Sequence, residues 1–289
     1  MILVTGATGE FGKLAIDFLL KKGISTKNLT ALVRDEPKAK DLADKGIVLK
    51  KGDYDDYQSL LAAFSGVDQL LFISGSDVVK RAKQHENVVN AAKEKGVKHI
   101  VYTSFQRVNE TETSPIAFVA KSHLETEKLL KVSGIGYTIL KNSLYADVIP
   151  MFIGENVLET GVFFPAGNGR GAFALRSDMA EATAEVLSGS GHQNKEYLFS
   201  NTVSVSFEEI AATLSKIAGK TVGYTSPDIE TFKTVLTGAG VPGPIIGMSV
   251  GFGEAVRQNE FSETSEDLKK LLGRNPVSIN DYLVSVYSK

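Results

Sequence analysis

Short apolar runs and stretches with apolar residues three or four positions apart alternate along this chain. The first run is Ile2–Thr5, which ends at a glycine, and apolar side chains then recur at helical spacing to about Lys22. Apolar runs of this length predict buried strands, and the longer period predicts amphipathic helices. The chain therefore begins with a strand, a tight turn and a helix.

The same alternation continues through the first half of the chain. It predicts further strands at Leu29–Val33, Ile47–Lys50, Gln69–Ile73, His99–Thr103 and Tyr137–Leu140. It predicts helices at Lys38–Lys45, Gln58–Phe64, Ala82–Lys95 and Ser122–Ser133. Strands that alternate with helices form βαβ units with parallel strands and right-handed crossovers. We predict an α/β fold, a doubly wound parallel sheet of the Rossmann type, with its ligand at the carboxyl ends of the strands.

The first turn carries three glycines, Gly6, Gly9 and Gly12, between the strand and the helix. Glycines let the backbone approach a pyrophosphate closely, and the N-terminus of the helix presents N–H groups to the anion. A glycine triplet alone is weak evidence, but its position between strand and helix indicates a dinucleotide site. The alternative is a tight turn without a ligand.

Glycine and proline become denser after residue 145, and the alternation weakens. The pattern predicts helices at Ser177–Leu187, Phe232–Leu236 and Leu268–Leu272, and strands at Tyr197–Ser200 and Thr221–Thr225. Ser206 and Glu209 have the spacing of a capping box, which begins a helix that ends near Gly219. Gly238–Gly253, with Pro242 and Pro244, is expected to be a loop and a candidate lid. We expect a dinucleotide-binding domain at 1–145 and a smaller α/β lobe, interleaved with the main sheet, at 146–289.

Composition excludes several classes of site. The 289 residues carry a net charge of −2, which favours neither nucleic acid nor a membrane surface as a partner. Cysteine is absent, which excludes disulfides and thiolate chemistry. The four histidines are scattered, so we expect no metal site. No apolar run approaches the roughly 20 residues of a membrane helix, and the chain enters a strand without a charged leader, so we expect a cytoplasmic protein.

Several segments resemble the NmrA-like branch of the atypical short-chain dehydrogenases. The matching segments are Thr5–Gly12, Leu32–Arg34, Gly52–Tyr54, Leu71–Ser74, Val97–Ser104, His123–Glu127, Tyr137–Asn142 and Arg176–Asp178. They extend over nearly the whole chain, and the likeness is to the NAD(P)H:quinone oxidoreductase and triphenylmethane reductase type. The resemblance implies an oxidoreductase that binds NADP(H), with NAD(H) as the alternative cofactor.

The turn and the resemblance together predict the residues that bind this cofactor. The predicted set is Gly6, Thr8, Gly9, Glu10, Phe11, Gly12, Arg34, Asp53, Tyr54, Ile73, Ser74, Gly75, Thr103, Ser104 and His123. Arg34 follows the second strand, where an acid would bind the ribose of NAD, and a guanidinium there suits the 2′-phosphate of NADPH. The alternatives are a solvated cation for Arg34, a turn cap for Asp53 and a core anchor for Phe11.

The Tyr-x-x-x-Lys pair that short-chain dehydrogenases carry on a helix is missing. Tyr137 and Lys141 match the spacing, but they fall on a predicted strand, where positions four apart are about 13 Å from each other. Counting back from Glu127 places His123 at the lysine position and Val119 at the tyrosine position. His123 is a candidate for positioning the nicotinamide ribose, and an ordinary half-buried helix histidine is the alternative.

The missing tyrosine restricts the chemistry. Reduction of a ketone benefits from a positioned acid, whereas a quinone gives a delocalised anion and a cationic dye is simply neutralised. Asn142 and Tyr145 follow the sixth strand and are candidates for binding the acceptor, with Phe163, Phe164 and residues near Pro242 as an apolar wall. Packing between lobes is the alternative role of Tyr145.

Three functions compete. The leading hypothesis is an NADPH-dependent reductase of quinones or related conjugated small-molecule acceptors. The second is a regulator that senses NADP(H) and binds a protein partner without catalysis, and the third is a nucleotide-sugar epimerase, which would need the missing tyrosine. The pattern leaves monomer and homodimer open, because the exposed faces of Ala82–Lys95 and Ser122–Ser133 are well charged.

Overall fold

A parallel sheet organises the computed structural model, which describes residues 1–288. Within that range, seven strands are β1 (Ile2–Val4), β2 (Leu29–Val33), β3 (Val48–Lys51), β4 (Gln69–Phe72), β5 (His99–Phe105), β6 (Gly136–Asn142) and β9 (Lys195–Phe199). They form one sheet in the order β3-β2-β1-β4-β5-β6-β9. Pairing is parallel from β3 across to β6. The order reverses between β1 and β4, which confirms the predicted doubly wound sheet.

Helices connect these strands, and their bounds are close to those predicted. They are α1 (Glu10–Lys21), α2 (Lys40–Asp44), α3 (Tyr57–Phe64), α4 (Arg81–Glu94), α5 (Ala117–Val132) and α8 (Arg176–Ser188). Short 3-10 turns lie at Thr26–Asn28, Glu36–Ala39 and Ala146–Val148. The helix α5 begins earlier than the predicted Ser122, and β5 runs on to Phe105 rather than ending at Thr103.

The remaining elements are short strands and helices of the second half. The strands are β7 (Val162–Phe163), β8 (Arg170–Gly171), β10 (Val205–Ser206) and β11 (Tyr224–Thr225). The helices are α6 (Ile149–Ile153), α7 (Val157–Thr160), α9 (Phe207–Ala218), α10 (Ile229–Gly238), α11 (Gly243–Arg257), α12 (Asp267–Leu272) and α13 (Ile279–Tyr287). The predicted capping box of Ser206 and Glu209 is present at the start of α9. No helix in residues 1–288 is long and apolar enough to cross a membrane.

The loop predicted at Gly238–Gly253 is wrong, because most of it is the helix α11. Pro242 is the N-cap and Pro244 lies in the first turn, where a missing N–H breaks no helical hydrogen bond. Gly253 packs so closely that an added Cβ would lie 2.7 Å from Pro165 Cγ. A glycine that the sequence pattern assigns to a loop therefore lies in a helix, where its lack of a side chain allows close packing.

The described residues form two compact units. The first consists of Met1–Phe105, Val119–Asn142 and Ser177–Tyr197, and the second of Gln106–Phe118, Ser143–Arg176 and the chain from Leu198 onward. The expected functional division, with cofactor binding in residues 1–145 and substrate binding in 146–289, stays a prediction.

Each unit has its own core. Phe64, Phe72 and Tyr102 are fully buried among aliphatic side chains of the first unit. In the second unit, Phe164 is fully buried, and its ring centroid lies 4.7 Å from that of Phe207. The prediction that Phe164 lines an apolar substrate pocket is therefore wrong, because its ring is enclosed by other phenyl rings of the core.

Candidate functional site

The glycine turn after β1 is folded tightly against the first turn of α1. Gly6 has a φ of +56°, a conformation that favours glycine, and its carbonyl accepts the N–H of Gly9 at 3.0 Å. A Cβ on Gly12 would lie 2.4 Å from the Gly6 oxygen, so only glycine fits there. Gly9 is the N-cap of α1 and caps it with no side chain, so backbone N–H groups are presented at this end of the helix.

A cavity of about 300 Å³ lies beside this turn. Its lining residues come from the turn and from the segments after β2, β3 and β4. They are Gly6, Thr8, Gly9, Leu32, Val33, Arg34, Gly52, Asp53, Tyr54, Ile73, Ser74, Gly75, Ser76, Asp77 and Gln84. The structure thus gathers predicted residues from four separate segments around one space. The other predicted residues, Glu10, Phe11, Gly12, Thr103, Ser104 and His123, lie elsewhere in the first unit.

Arg34 and Asp53 lie on the side of the cavity formed by β2 and β3. Arg34 is exposed directly after β2, where its charge faces water. The Asp53 carboxylate accepts the backbone N–H of Asp55 at 3.0 Å, which is the turn-capping role weighed as the alternative. Asp53 also lines the cavity, so one residue shapes the turn and contributes a negative charge to the wall.

Tyr54 ties the cavity wall to the turn. Its hydroxyl donates to the Ile73 carbonyl at 2.8 Å and lies 2.5 Å from Thr5 Oγ1, which in turn accepts the Ile73 N–H. Burial raises the pKa of Tyr54, so the phenol stays protonated and acts as a donor. These bonds fix the carboxyl ends of β1 and β4 relative to each other.

The segment after β4 is held by side chains of β5 and α4. Ser74 donates its N–H to Thr103 Oγ1 at 2.9 Å, and Gly75 donates its N–H to His85 Nε2 at 3.0 Å. Ser104, next to Thr103, hydrogen-bonds the buried carboxylate of Glu127. Thr103 therefore holds a residue of the cavity wall, and neither Thr103 nor Ser104 is among the residues that line the cavity.

His85 is a neutral, fully buried imidazole. Burial, and then the charge of Arg81, lower its pKa to about 3. Because its Nε2 accepts the Gly75 N–H, the proton of the neutral ring lies on Nδ1. That N–H points to Thr126 Oγ1 at 2.8 Å and to Tyr102 Oη at 3.4 Å.

His123 lies on α5 with 4% of its surface exposed, more deeply buried than a half-buried helix residue. Its Nδ1 is 2.7 Å from Tyr102 Oη, its Nε2 is 3.5 Å from Arg81 Nη1, and its ring stacks on Phe105. Since arginine carries donors only, His123 Nε2 accepts from Arg81 Nη1, which places the proton of the neutral His123 ring on Nδ1. That Nδ1–H donates to Tyr102 Oη.

The rejected Tyr-x-x-x-Lys match lies on a strand, as predicted. Tyr137 and Lys141 both belong to β6, and Lys141 pairs with Glu196 at 2.9 Å. Val119 lies on α5 in the first unit, four residues before His123. The helix that would carry the pair therefore has an apolar side chain at the tyrosine position.

The two candidate acceptor-binding residues fall in different units. Asn142 is the last residue of β6 and is 1% exposed. Tyr145 is half-buried in the second unit, where the Arg176 guanidinium lies 4.6 Å from the centre of its ring. Arg176 also pairs with Asp147 at 2.5 Å, so Tyr145 packs against a cation that is itself fixed.

Sequence reasoning missed Arg81, His85 and Tyr102. Arg81 and His85 are four residues apart at the start of α4, so they share one face of that helix, and this spacing was a signal that could have been used. Tyr102 was missed because it lies in an otherwise apolar strand, where a tyrosine is typical of the hydrophobic core.

Comparisons with known proteins match almost the whole chain. The sequence pattern of the NmrA-like family matches residues 1–283. The chain is 37% identical over 289 residues to quinone oxidoreductase 2 of Escherichia coli strain K12, covering 100% of this chain and 99% of that protein.

Two solved structures have nearly the same fold. An NADPH-dependent quinone oxidoreductase from Escherichia coli, complexed with NADPH, has a TM-score of 0.92 at 36% identity, covering 99% of this chain and 100% of that one. Triphenylmethane reductase of Citrobacter sp. has a TM-score of 0.91 at 38% identity, covering 100% of this chain and 99% of that one. The family match spans almost all of the sequence, and the relatives match over their whole lengths. The chain therefore belongs to the NmrA-like family.

Proposed function

We propose that this protein is an NADPH-dependent reductase that transfers hydride to a quinone or a related conjugated acceptor. The observation that carries the proposal is the cavity that joins the glycine turn to Arg34 in a chain whose α5 lacks a tyrosine acid. The relatives named for quinone and dye reduction support the same chemistry.

The residues present fit a dinucleotide. No side chain caps the start of α1, so the first backbone N–H groups of this helix are available to a pyrophosphate. Arg34 would hold the 2′-phosphate, because a guanidinium donates several hydrogen bonds and stays charged. Asp53, Tyr54 and Ile73 would contact the adenosine half of the molecule.

At the other end of the cofactor, Ser74 and Gly75 would border the nicotinamide half and His123 would position its ribose. When bound, NADPH supplies the hydride. We propose that Asn142 and Tyr145 orient the acceptor, with Tyr145 donating to a carbonyl oxygen. Val119 cannot supply a proton, so water protonates the product, which is sufficient for a delocalised quinol anion.

The test is the oxidation of NADPH by the purified protein with a panel of quinones and cationic dyes, followed by the absorbance of the reduced nicotinamide. We expect a protein-dependent rate that collapses in Gly9→Trp, whose indole would block the turn. Lys233→Gln, a variant of an exposed residue on α10, serves as the control and keeps the rate.

Tight NADPH binding without turnover on any acceptor would overturn the reductase and favour a cofactor-sensing regulator. Reversible conversion of a nucleotide sugar would favour an epimerase. The epimerase is not expected, because the chain has apolar Val119 where an epimerase needs its tyrosine.

A further inference from the structure

Arg81 is a buried cation with an unusual environment. Only 7% of its surface is exposed, and its Nε donates to the Gly75 carbonyl at 2.6 Å. Its Nη1 lies 3.5 Å from His123 Nε2. Among the described residues, these neutral groups take the place of the carboxylate with which a buried arginine is usually paired.

The charge of Arg81 is retained despite burial. Removal from water lowers the pKa of the guanidinium, but arginine begins so far above neutrality that it remains protonated. Asp77 acts on it electrostatically, yet the Asp77 carboxylate is exposed and accepts the backbone N–H groups of Val79 and Lys80. A positive charge is thus kept in a buried place where its hydrogen bonds go to a carbonyl and an imidazole and not to a carboxylate.

The position of Arg81 ties this charge to the reacting end of the site. Arg81 binds Gly75, which lines the cavity. Arg81 also contacts His123, the residue proposed to position the nicotinamide ribose. Because arginine carries donors only, Arg81 Nη1 donates to His123 Nε2 in this contact, and the charge of the guanidinium lies one hydrogen bond from the imidazole. A fixed positive charge at this distance is suited to stabilise a negative charge that develops on an oxygen beside the ring.

We propose that Arg81 is a catalytic residue that stabilises the negative charge developing on the oxygen of a quinone during its reduction. The inference rests on the proposed function. Addition of hydride, two electrons and one proton, to the quinone oxidises the nicotinamide and leaves a hydroquinone monoanion. Water then donates the second proton. Arg81 supplies the electrostatic stabilisation that an acid would otherwise give, and it does so without transferring a proton.

A cationic triphenylmethane dye separates this role from cofactor binding. Hydride adds to the central carbon of the dye and gives a neutral product, so no anionic oxygen forms. Arg81 should therefore matter for quinones and not for the dye. A residue that held the cofactor or the fold would affect both acceptors equally.

The kinetic experiment compares 1,4-naphthoquinone with malachite green in the wild type, Arg81→Gln, Arg81→Lys and Lys83→Gln. Lys83 is an exposed cation on the same helix and is the matched control. We expect Arg81→Gln to lower kcat/KM for the quinone by about a hundredfold and for the dye by less than about threefold. Arg81→Lys should recover part of the quinone rate, and equal losses on both acceptors would overturn the proposal.

A binding experiment needs no turnover. The protein saturated with NADP⁺ is titrated with 1,4-naphthoquinone and with its 2-hydroxy derivative, which is an anion at neutral pH. We expect the anion to bind the wild type at least about tenfold more tightly, and Arg81→Gln to abolish the preference while Lys83→Gln keeps it.

Wild type without a preference for the anion would contradict the role of Arg81, even if Arg81→Gln fails to fold. A preference for the anion without reduction of any acceptor would contradict the proposed function instead, and it would support Arg81 as an anion-binding residue.

Discussion

The hydroxyl of Tyr102 lies 2.7 Å from Nδ1 of His123, inside the first unit, and both side chains are buried. Tyr102 belongs to β5 and His123 to α5, so the bond joins the sheet to the helix that covers it. Because the phenol oxygen accepts the Nδ1–H, the bond fixes the orientation of the His123 ring and leaves Nε2 as the acceptor for Arg81. Tyr102 is a positioning residue that holds His123 for the cofactor.

Tyr102→Phe removes this bond and leaves the buried Nδ1–H of His123 without the phenol oxygen that accepts it. We expect the free energy of unfolding to fall by about 1–3 kcal/mol. We also expect a weaker affinity for NADPH, because the His123 ring is no longer fixed. Urea unfolding and a titration with NADPH measure the two effects.

Tyr57→Phe is the matched control for that variant. The Tyr57 hydroxyl binds Glu94 at 2.9 Å at the surface, where water replaces a lost hydrogen bond. Its stability should change by less than about 0.5 kcal/mol. Equal losses in the two variants would show that the Tyr102 bond has no special value.

Arg34→Ala tests the preference for NADPH. We expect Kd for NADPH to rise by about tenfold to a hundredfold, since hydrogen bonds to charged groups contribute about 1.5–3 kcal/mol, while Kd for NADH stays nearly constant. Lys38→Ala, which removes an exposed cation nearby, should leave both constants unchanged. Equal affinities for the two cofactors in the wild type would reject the role of Arg34.

Much of the fold could be predicted because its signals are local. Apolar runs such as Gln69–Phe72 are buried on both faces in a parallel sheet, so they stand out from the helices around them. The glycine turn was equally visible, since Gly6 and Gly12 are required by backbone geometry within a few residues.

The parts that escaped prediction depend on contacts between distant segments. Arg81 and Tyr102 are 21 residues apart in sequence, and only the folded sheet brings both to His123. The helix α11 escaped for a different reason. Its glycines mimic a loop, and the close packing of Gly253 against Pro165 becomes apparent only in three dimensions.

The lowered pKa of His85 predicts that the protein loses stability in acid. Its folded pKa of about 3 lies below the ordinary 6.5, so the unfolded chain binds a proton that the folded protein does not. The contribution of His85 is complete above pH 6.5 and declines as the pH falls toward about 3. His99, whose burial lowers its pKa to about 4, acts in the same direction.

Unfolding by urea between about pH 4 and about pH 6 measures this dependence. We expect His85→Gln to make the slope shallower by about 1.4 kcal/mol per pH unit. His192→Gln is the comparison, and it should flatten the slope less because its ring is partly exposed. An unchanged slope in His85→Gln would mean that His85 takes up a proton in the folded protein.

Two glycine-to-alanine changes should act in opposite directions. Gly12→Ala forces a Cβ to within 2.4 Å of the Gly6 oxygen, so we expect a loss of about 1–3 kcal/mol in stability. We also expect weaker NADPH binding, because the turn must shift to relieve the clash. Gly247 lies exposed in α11 with nothing within 4 Å of an added Cβ.

Gly247→Ala should therefore stabilise the protein by up to about 1 kcal/mol, through the better helix propensity of alanine. Thermal unfolding with and without NADPH compares the two variants. Gly12→Ala should have a lower Tm and a smaller rise on adding NADPH, whereas Gly247→Ala should have a higher Tm and an unchanged rise. A Gly12→Ala variant with full stability and full affinity would show that the close approach of α1 to Gly6 is not required for binding.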